Sequence, residues 1–146
     1  MPFYWLVMLI TGIALNLLSE HSDRAETVAL QGDTSAIAHN LLIYRQALAI
    51  YAQAHSEAEG AVEDFALKLP GWFEHLPGVE GYVSGGASYT FYAQPPAGLA
   101  TRLAELTTNS TAVGLNVQGR LVSPSAGETI IVLPPALPMG AAVLYR

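Results

Sequence analysis

The chain opens on an apolar run that constrains how everything after it can be arranged. Residues 2–18, PFYWLVMLITGIALNLL, contain no charged side chain. Besides a tyrosine hydroxyl and a tryptophan nitrogen, their only clearly polar side chains are Thr11 and Asn16. As a helix the stretch is about 25 Å long, the short end of what crosses a bilayer. The expected arrangement is an uncleaved membrane anchor over residues 1–18, with Tyr4 and Trp5 at interfacial depth. A cleaved signal and a buried soluble helix are the alternatives. The signal fits less well, because no Lys or Arg precedes Arg24 and the adjoining SEHSD offers no small-x-small site. Arg24 is the one basic residue near the span, and taken alone it favours the C-terminal part staying inside.

The rest of the chain is long enough for one domain with a real core, not two. Hydrophobic residues make up 51% of the chain and charged residues 12%, a balance that folds rather than stays disordered. With no cysteine, disulfides, thiol catalysis and Cys-ligated zinc are excluded. The net charge of −6 is uneven: residues 20–80 carry ten acids against three bases, and residues 81–146 two acids against three bases. An acidic chain without a basic patch suits neither nucleic acid nor anionic lipid headgroups.

Residues 19–36 read as a polar connector with a break at Gly32-Asp33, and residues 37–146 as a single domain. Asp33, Thr34 and Ser35 are good N-cap types ahead of a helix over residues 37–58. Ile37, Leu41, Tyr44, Leu48, Tyr51 and His55 form one stripe of that helix, with His39, Gln46, Gln53 and Glu57 opposite. The stripe packs either on the domain's own sheet or, being heptad-like, along a partner helix. A shorter helix is expected over residues 62–69, carrying Val62, Phe65, Ala66 and Leu69 and stopped by Pro70-Gly71. Two Leu-Pro-Gly turns then bracket Trp72 and Phe73, which either plug one end of the core or form a docking patch.

From Val79 the period changes to two. Strands on either side of Gly85-Gly86 make a hairpin, and a short amphipathic helix carries Leu99, Leu103 and Leu106. Further strands are expected around Gln118-Gly119 and over residues 129–133, and residues 141–145 add an edge strand. The fold class is α+β: an N-terminal transmembrane helix, then an amphipathic helix packed on an antiparallel sheet of hairpins, with a second short helix.

No motif carries catalysis. His21, His39, His55 and His75 do not stand at metal-binding spacings, and His55 reads as a packed residue. Glu57/Glu59 and Glu63/Asp64 most simply form a solvated face. No glycine-rich phosphate loop and no nucleophile elbow occur, and Asn109-Ser110-Thr111 matches a glycosylation sequon by a pattern common by chance. The expectation is no enzyme, no cofactor and no metal.

An apolar helix, an amphipathic helix and an antiparallel α+β domain resemble the plan of type IV pilins. The prepilin signature is missing, since no basic leader ends in Gly and the run beginning PFYWL has no Glu at its fifth position. The chain is more similar to the small PilM family of thin (type IVB) pilus systems on conjugative plasmids. The likeness covers nearly the whole chain. It includes the uncleaved apolar start, Tyr44-Arg45-Gln46-Ala47 with Tyr51-Ala52-Gln53-Ala54 beyond it, and the turn Leu69-Pro70-Gly71-Trp72. This family is distinct from the actin-like ATPase of the same name, for which the chain has no nucleotide site.

The resemblance implies a single-pass bacterial inner-membrane protein with a periplasmic domain, against the hint from Arg24. It would act as a non-catalytic component of the pilus or secretion assembly apparatus, contact other pilus proteins, and be open to oligomerisation. The alternatives are a minor pilin or pseudopilin that enters the fibre, and an enzyme or ligand-binding domain on a tether. Trp72, Phe73, Tyr44 and Tyr51 are the candidate partner contacts.

Overall fold

The long helix α1, Phe3–Ala54, supplies the stripe that organises the domain. In the computed structural model the backbone is described for residues 3–146, and side chains for residues 28, 29 and 31–146. The expected anchor at residues 1–18 therefore lies outside the residues described in side-chain detail. Among the described residues no helix is long and apolar enough to cross a membrane. The chain divides into two units, residues 1–33 and 34–146. No break occurs at Gly32-Asp33, where helix continues. One glycine costs a helix only about 1 kcal/mol relative to alanine, less than neighbouring helix formers and packing can supply. The polar segment expected as a connector is thus helical.

Within the second unit Ala38, Leu41, Tyr44, Leu48 and Ala52 of α1 are buried. They pack with Val79, Val83, Val113 and Leu144 of the sheet. This decides the stripe in favour of the domain's own core. Ile37 and Tyr51 are half-buried at its margins, while His39, Gln46, Gln53 and Glu57 are exposed as expected. The helix stops at Ala54, four residues early. His55 is exposed and stacks on Tyr51, with ring centroids 4.3 Å apart.

The expected helix over residues 62–69 does not form. β1 (Gly60–Ala61) pairs with β2 (Val79–Ser84), and a single 3₁₀ turn spans Asp64–Ala66. Between Gly60 and Pro70 there is room for only two helical turns, too short to hold without packing. Main-chain pairing with β2 wins instead, burying Leu67 and turning Phe65 outward.

The hairpin of β2 and β3 (Ala87–Tyr92) turns at Gly85-Gly86, where both φ angles are positive. Then come α2 (Leu99–Leu106), β4 (Val113–Val117), β5 (Arg120–Ser123), β6 (Gly127–Val132) and β7 (Ala142–Tyr145). The seven strands run β1-β2-β3-β7-β4-β5-β6, every pair antiparallel. The fold class is α+β, as expected, but the last strand is central rather than an edge. Ala142, Val143 and Leu144 are fully buried, and such a continuous apolar run suits a strand covered on both faces.

Both faces of the sheet are apolar. Leu99 and Leu103 of α2 join the cluster beneath α1. On the other face Tyr89, Phe91, Leu121 and Val143 are closed over by Leu133, Leu137 and Ala141. Buried Asn116 fastens that covering segment. Its Nδ2 donates to Leu137 O (3.1 Å) and Pro138 O (3.0 Å), and its Oδ1 accepts from Gly119 N (3.0 Å).

Truncating Leu48 to alanine should destabilise the domain by about 2–5 kcal/mol in urea melts, with Gln53→Ala within about 0.5 kcal/mol of the parent. The reverse ranking would place the wrong face of α1 on the sheet.

Candidate functional site

The segment between β1 and β2 is fastened to the rest of the domain at several points. The first Leu-Pro-Gly closes a turn in which Phe73 N donates to Pro70 O at 2.9 Å, and the second ends with Val79 N donating to Leu76 O at 3.2 Å. Asn40 on α1 grips the stretch between them. Its Nδ2 donates to Glu74 O at 2.7 Å and its Oδ1 accepts from Leu76 N at 3.3 Å.

His75 supplies the second fastening. Its Nδ1 bonds the Asp64 carboxylate on the 3₁₀ turn, and its Nε2 bonds Val79 O at 2.5 Å at the start of β2. A carboxylate and a carbonyl only accept, so the two bonds are made together when both ring nitrogens carry a proton, in the imidazolium form. Partial burial works against that charge. The hydrogen bond to Asp64, the bond to Val79 O and the fields of Asp64 and Glu80 outweigh it and raise the pKa above 6.5. With both nitrogens occupied, His75 has no free lone pair to act as a general base. Tyr44 lies beneath, its ring centroid 5.1 Å from that of His75, and donates to Val62 O at 3.3 Å. Burial, then the neighbouring Asp64 and Glu80, push its pKa to about 12, so it stays a neutral phenol. An open cleft of about 400 Å³ adjoins these groups, lined by Tyr44, Asp64, His75, Tyr82 and Phe91. In the protonated form His75 offsets the charge of Asp64 at its wall. Among the described residues no group of three or more metal-ligating side chains occurs.

The four candidate contacts separate clearly. Phe73 turns inward, half-buried against the core. Tyr44 is 1% exposed and offers no surface to a partner. Tyr51 is half-buried beside His55. Trp72 is 72% exposed and plugs nothing, which corrects the core-plug expectation for that residue. Between two turns the chain can point only one of two adjacent aromatics inward, and Phe73 takes the place. Sequence reasoning missed Phe65, which is 87% exposed on the 3₁₀ turn tied to the loop through Asp64 and His75. Its helical spacing with Val62 and Leu69 disguised it as a core residue.

The loop thus displays an exposed tryptophan on a backbone held at several points. The PilM family model matches residues 6–145. The chain belongs to the PilM family. Two solved structures are similar to this chain. A PilM protein from Pseudomonas aeruginosa 2192 is 41% identical, with a TM-score of 0.50 over 78% of this chain and 93% of that one. A PilM protein from Escherichia coli B7A is 21% identical, with a TM-score of 0.59 over 80% and 93%, and shares the fold. No curated protein matches the chain significantly.

In this PilM-family domain the His75 clamp should give stability a definite pH dependence. The folded pKa is raised above the unfolded value, so the contribution is complete below about pH 6.5 and is lost as pH rises through the folded value. The gap in melting midpoint between the parent and His75→Gln should therefore narrow from about pH 5.5 to about pH 8.5. A gap that widens with pH would mean that His75 is held neutral.

Proposed function

We propose that this PilM-family chain is a non-catalytic component of a pilus assembly or secretion apparatus. Residues 1–18 anchor it in the bacterial inner membrane, and the α+β domain stands in the periplasm, where it contacts other pilus subunits. Family membership and the 41%-identical PilM structure support the association with pili. The uncharged run at the N-terminus supports the anchor.

One observation carries the docking role: Trp72 is 72% exposed on a loop that Asn40 and His75 hold in place. Tryptophan is the side chain most enriched at the energetic centres of interfaces. Displaying it on an already ordered loop avoids the ordering entropy that a mobile segment loses on binding. The partner of this loop is accordingly a protein with an apolar pocket.

Trp72→Ala should leave the melting midpoint equivalent to within about 0.5 kcal/mol of stability while pilus formation falls. Normal piliation by the variant would remove the loop from the docking role, and a large loss of stability would return Trp72 to the core. Orientation is tested separately. The chain has no cysteine, so Ser125→Cys provides a single thiol. An impermeant maleimide should label it in intact spheroplasts, and labelling only after inner-membrane lysis would place the domain in the cytoplasm.

A further inference from the structure

We infer that Arg45 and Arg146 together form a receptor for a single carboxylate of a partner protein, on the outer face of α1. A crossed clasp brings the two residues together. Arg45 Nη2 donates to Tyr145 O at 2.9 Å, and Arg146 Nη1 donates to Gln46 Oε1 at 2.7 Å. Among the described residues neither guanidinium is paired with a carboxylate, whereas Arg102 holds Glu105 and Arg120 holds Glu128, each at 3.0 Å. Arg45 is half-buried, and its Nε is buried without a hydrogen-bond partner. Arg102 shares an orphaned Nε but has its carboxylate, so the missing countercharge is what sets Arg45 apart. Burial, and then the like charge of Arg146, lower the pKa of Arg45, yet a guanidinium stays charged at neutral pH. Two cations so placed, one of them half out of water, are relieved by an anion between them.

The surroundings select a protein carboxylate among anions. Residues 34–56 contain no Asp, Glu or Lys, and Arg45 is their one arginine. The outer stripe of α1 runs His39, Ile43, Gln46, Ile50 and Gln53 at steps of four and three, and all but half-buried Ile43 are exposed. Ile50 is 50% exposed one turn beyond Gln46. An exposed helix face usually carries charges of both signs. This one carries amides and isoleucines around one cationic spot, the composition of an interface, where arginine is enriched and other charges are depleted. The chain as a whole carries −6, so a polyanion such as nucleic acid or an anionic lipid surface is repelled. A lone carboxylate meets only the local positive field, and the forks of two arginines match its two oxygens. Ile50 beside them suits an apolar neighbour of that carboxylate. The receptor shares no residue with the Trp72 loop, so it is a second contact and not part of the first.

The test follows the arginine side-chain N–H signals of the isotope-labelled full chain by NMR in uncharged detergent micelles. The probes are the capped peptides acetyl-Ala-Glu-Ala-amide and acetyl-Ala-Gln-Ala-amide, and inorganic phosphate, each raised to millimolar concentrations. The glutamate peptide should shift the Arg45 and Arg146 signals to saturation and leave Arg102 and Arg120, which already hold carboxylates, in place. The glutamine peptide should shift none of them. Arg146→Gln should weaken the glutamate peptide by about fivefold, the size of one exposed charge pair, with an unchanged melting midpoint because that side chain is exposed. An equal response to the two peptides, shifts spread over all the arginines, or no shift of Arg45 would overturn the inference. So would full affinity in Arg146→Gln. Phosphate binding more tightly than the glutamate peptide would make the pair a site for inorganic anions or lipid headgroups and would likewise overturn it.

Discussion

The contact of α1 with β2 at Gly81 is the constraint on which the rest of the domain depends. A Cβ on Gly81 would stand 2.7 Å from Tyr44 Cε1 and 2.9 Å from Leu48 Cδ2. Any larger residue would have to push the ends of Tyr44 and Leu48 aside, so glycine lets the helix settle this close to the strand with both side chains in place. That closeness puts Tyr44 and Leu48 wholly inside and sets the height of α1 over the sheet. Tyr44 then reaches Val62 O, tying the helix to the chain just after β1. Asn40, one turn earlier on α1, arrives opposite the loop before β2 with both ends of its amide in use. Loop geometry is in this sense a consequence of helix depth.

That dependence explains how an exposed tryptophan coexists with an ordered loop. A surface loop held only by its own turns would be mobile, and Trp72 gains little from its surroundings at 72% exposure. The order comes from elsewhere: from α1 through Asn40, from the core through Phe73, and from β2 and the 3₁₀ turn through His75. The imidazolium is suited to this, since it joins two acceptors on separate parts of the chain and offsets the charge of Asp64. Acid–base chemistry is correspondingly absent from its repertoire while both nitrogens are engaged.

Much of this was legible in the sequence, and the failures have a common cause. The stripe through Leu41, Tyr44 and Leu48, the Gly85-Gly86 hairpin, α2 and the Gln118-Gly119 turn were all readable because local periodicity or turn chemistry specifies them. The helix expected around Phe65, the edge position expected for residues 141–145 and the plug expected of Trp72 went wrong where long-range pairing decides the outcome. β1 finds β2, and β7 slots between β3 and β4, through contacts that no local window contains. Asn116 is a further case. Nothing nearby marks it as the residue that fastens the segment covering the second apolar face, because its acceptors lie more than twenty residues away. The candidate site was half legible: the Leu-Pro-Gly brackets marked the loop, but which aromatic faces out depends on the core it meets.

The two apolar displays lie at opposite margins of one sheet. Trp72 and Phe65 belong to the connection between β1 and β2, and Ile130 and Val132 to β6 at the other edge. Six inter-strand spacings of about 4.8 Å separate those edges, about 29 Å before twist is counted. Surfaces so far apart do not compete for one occupant.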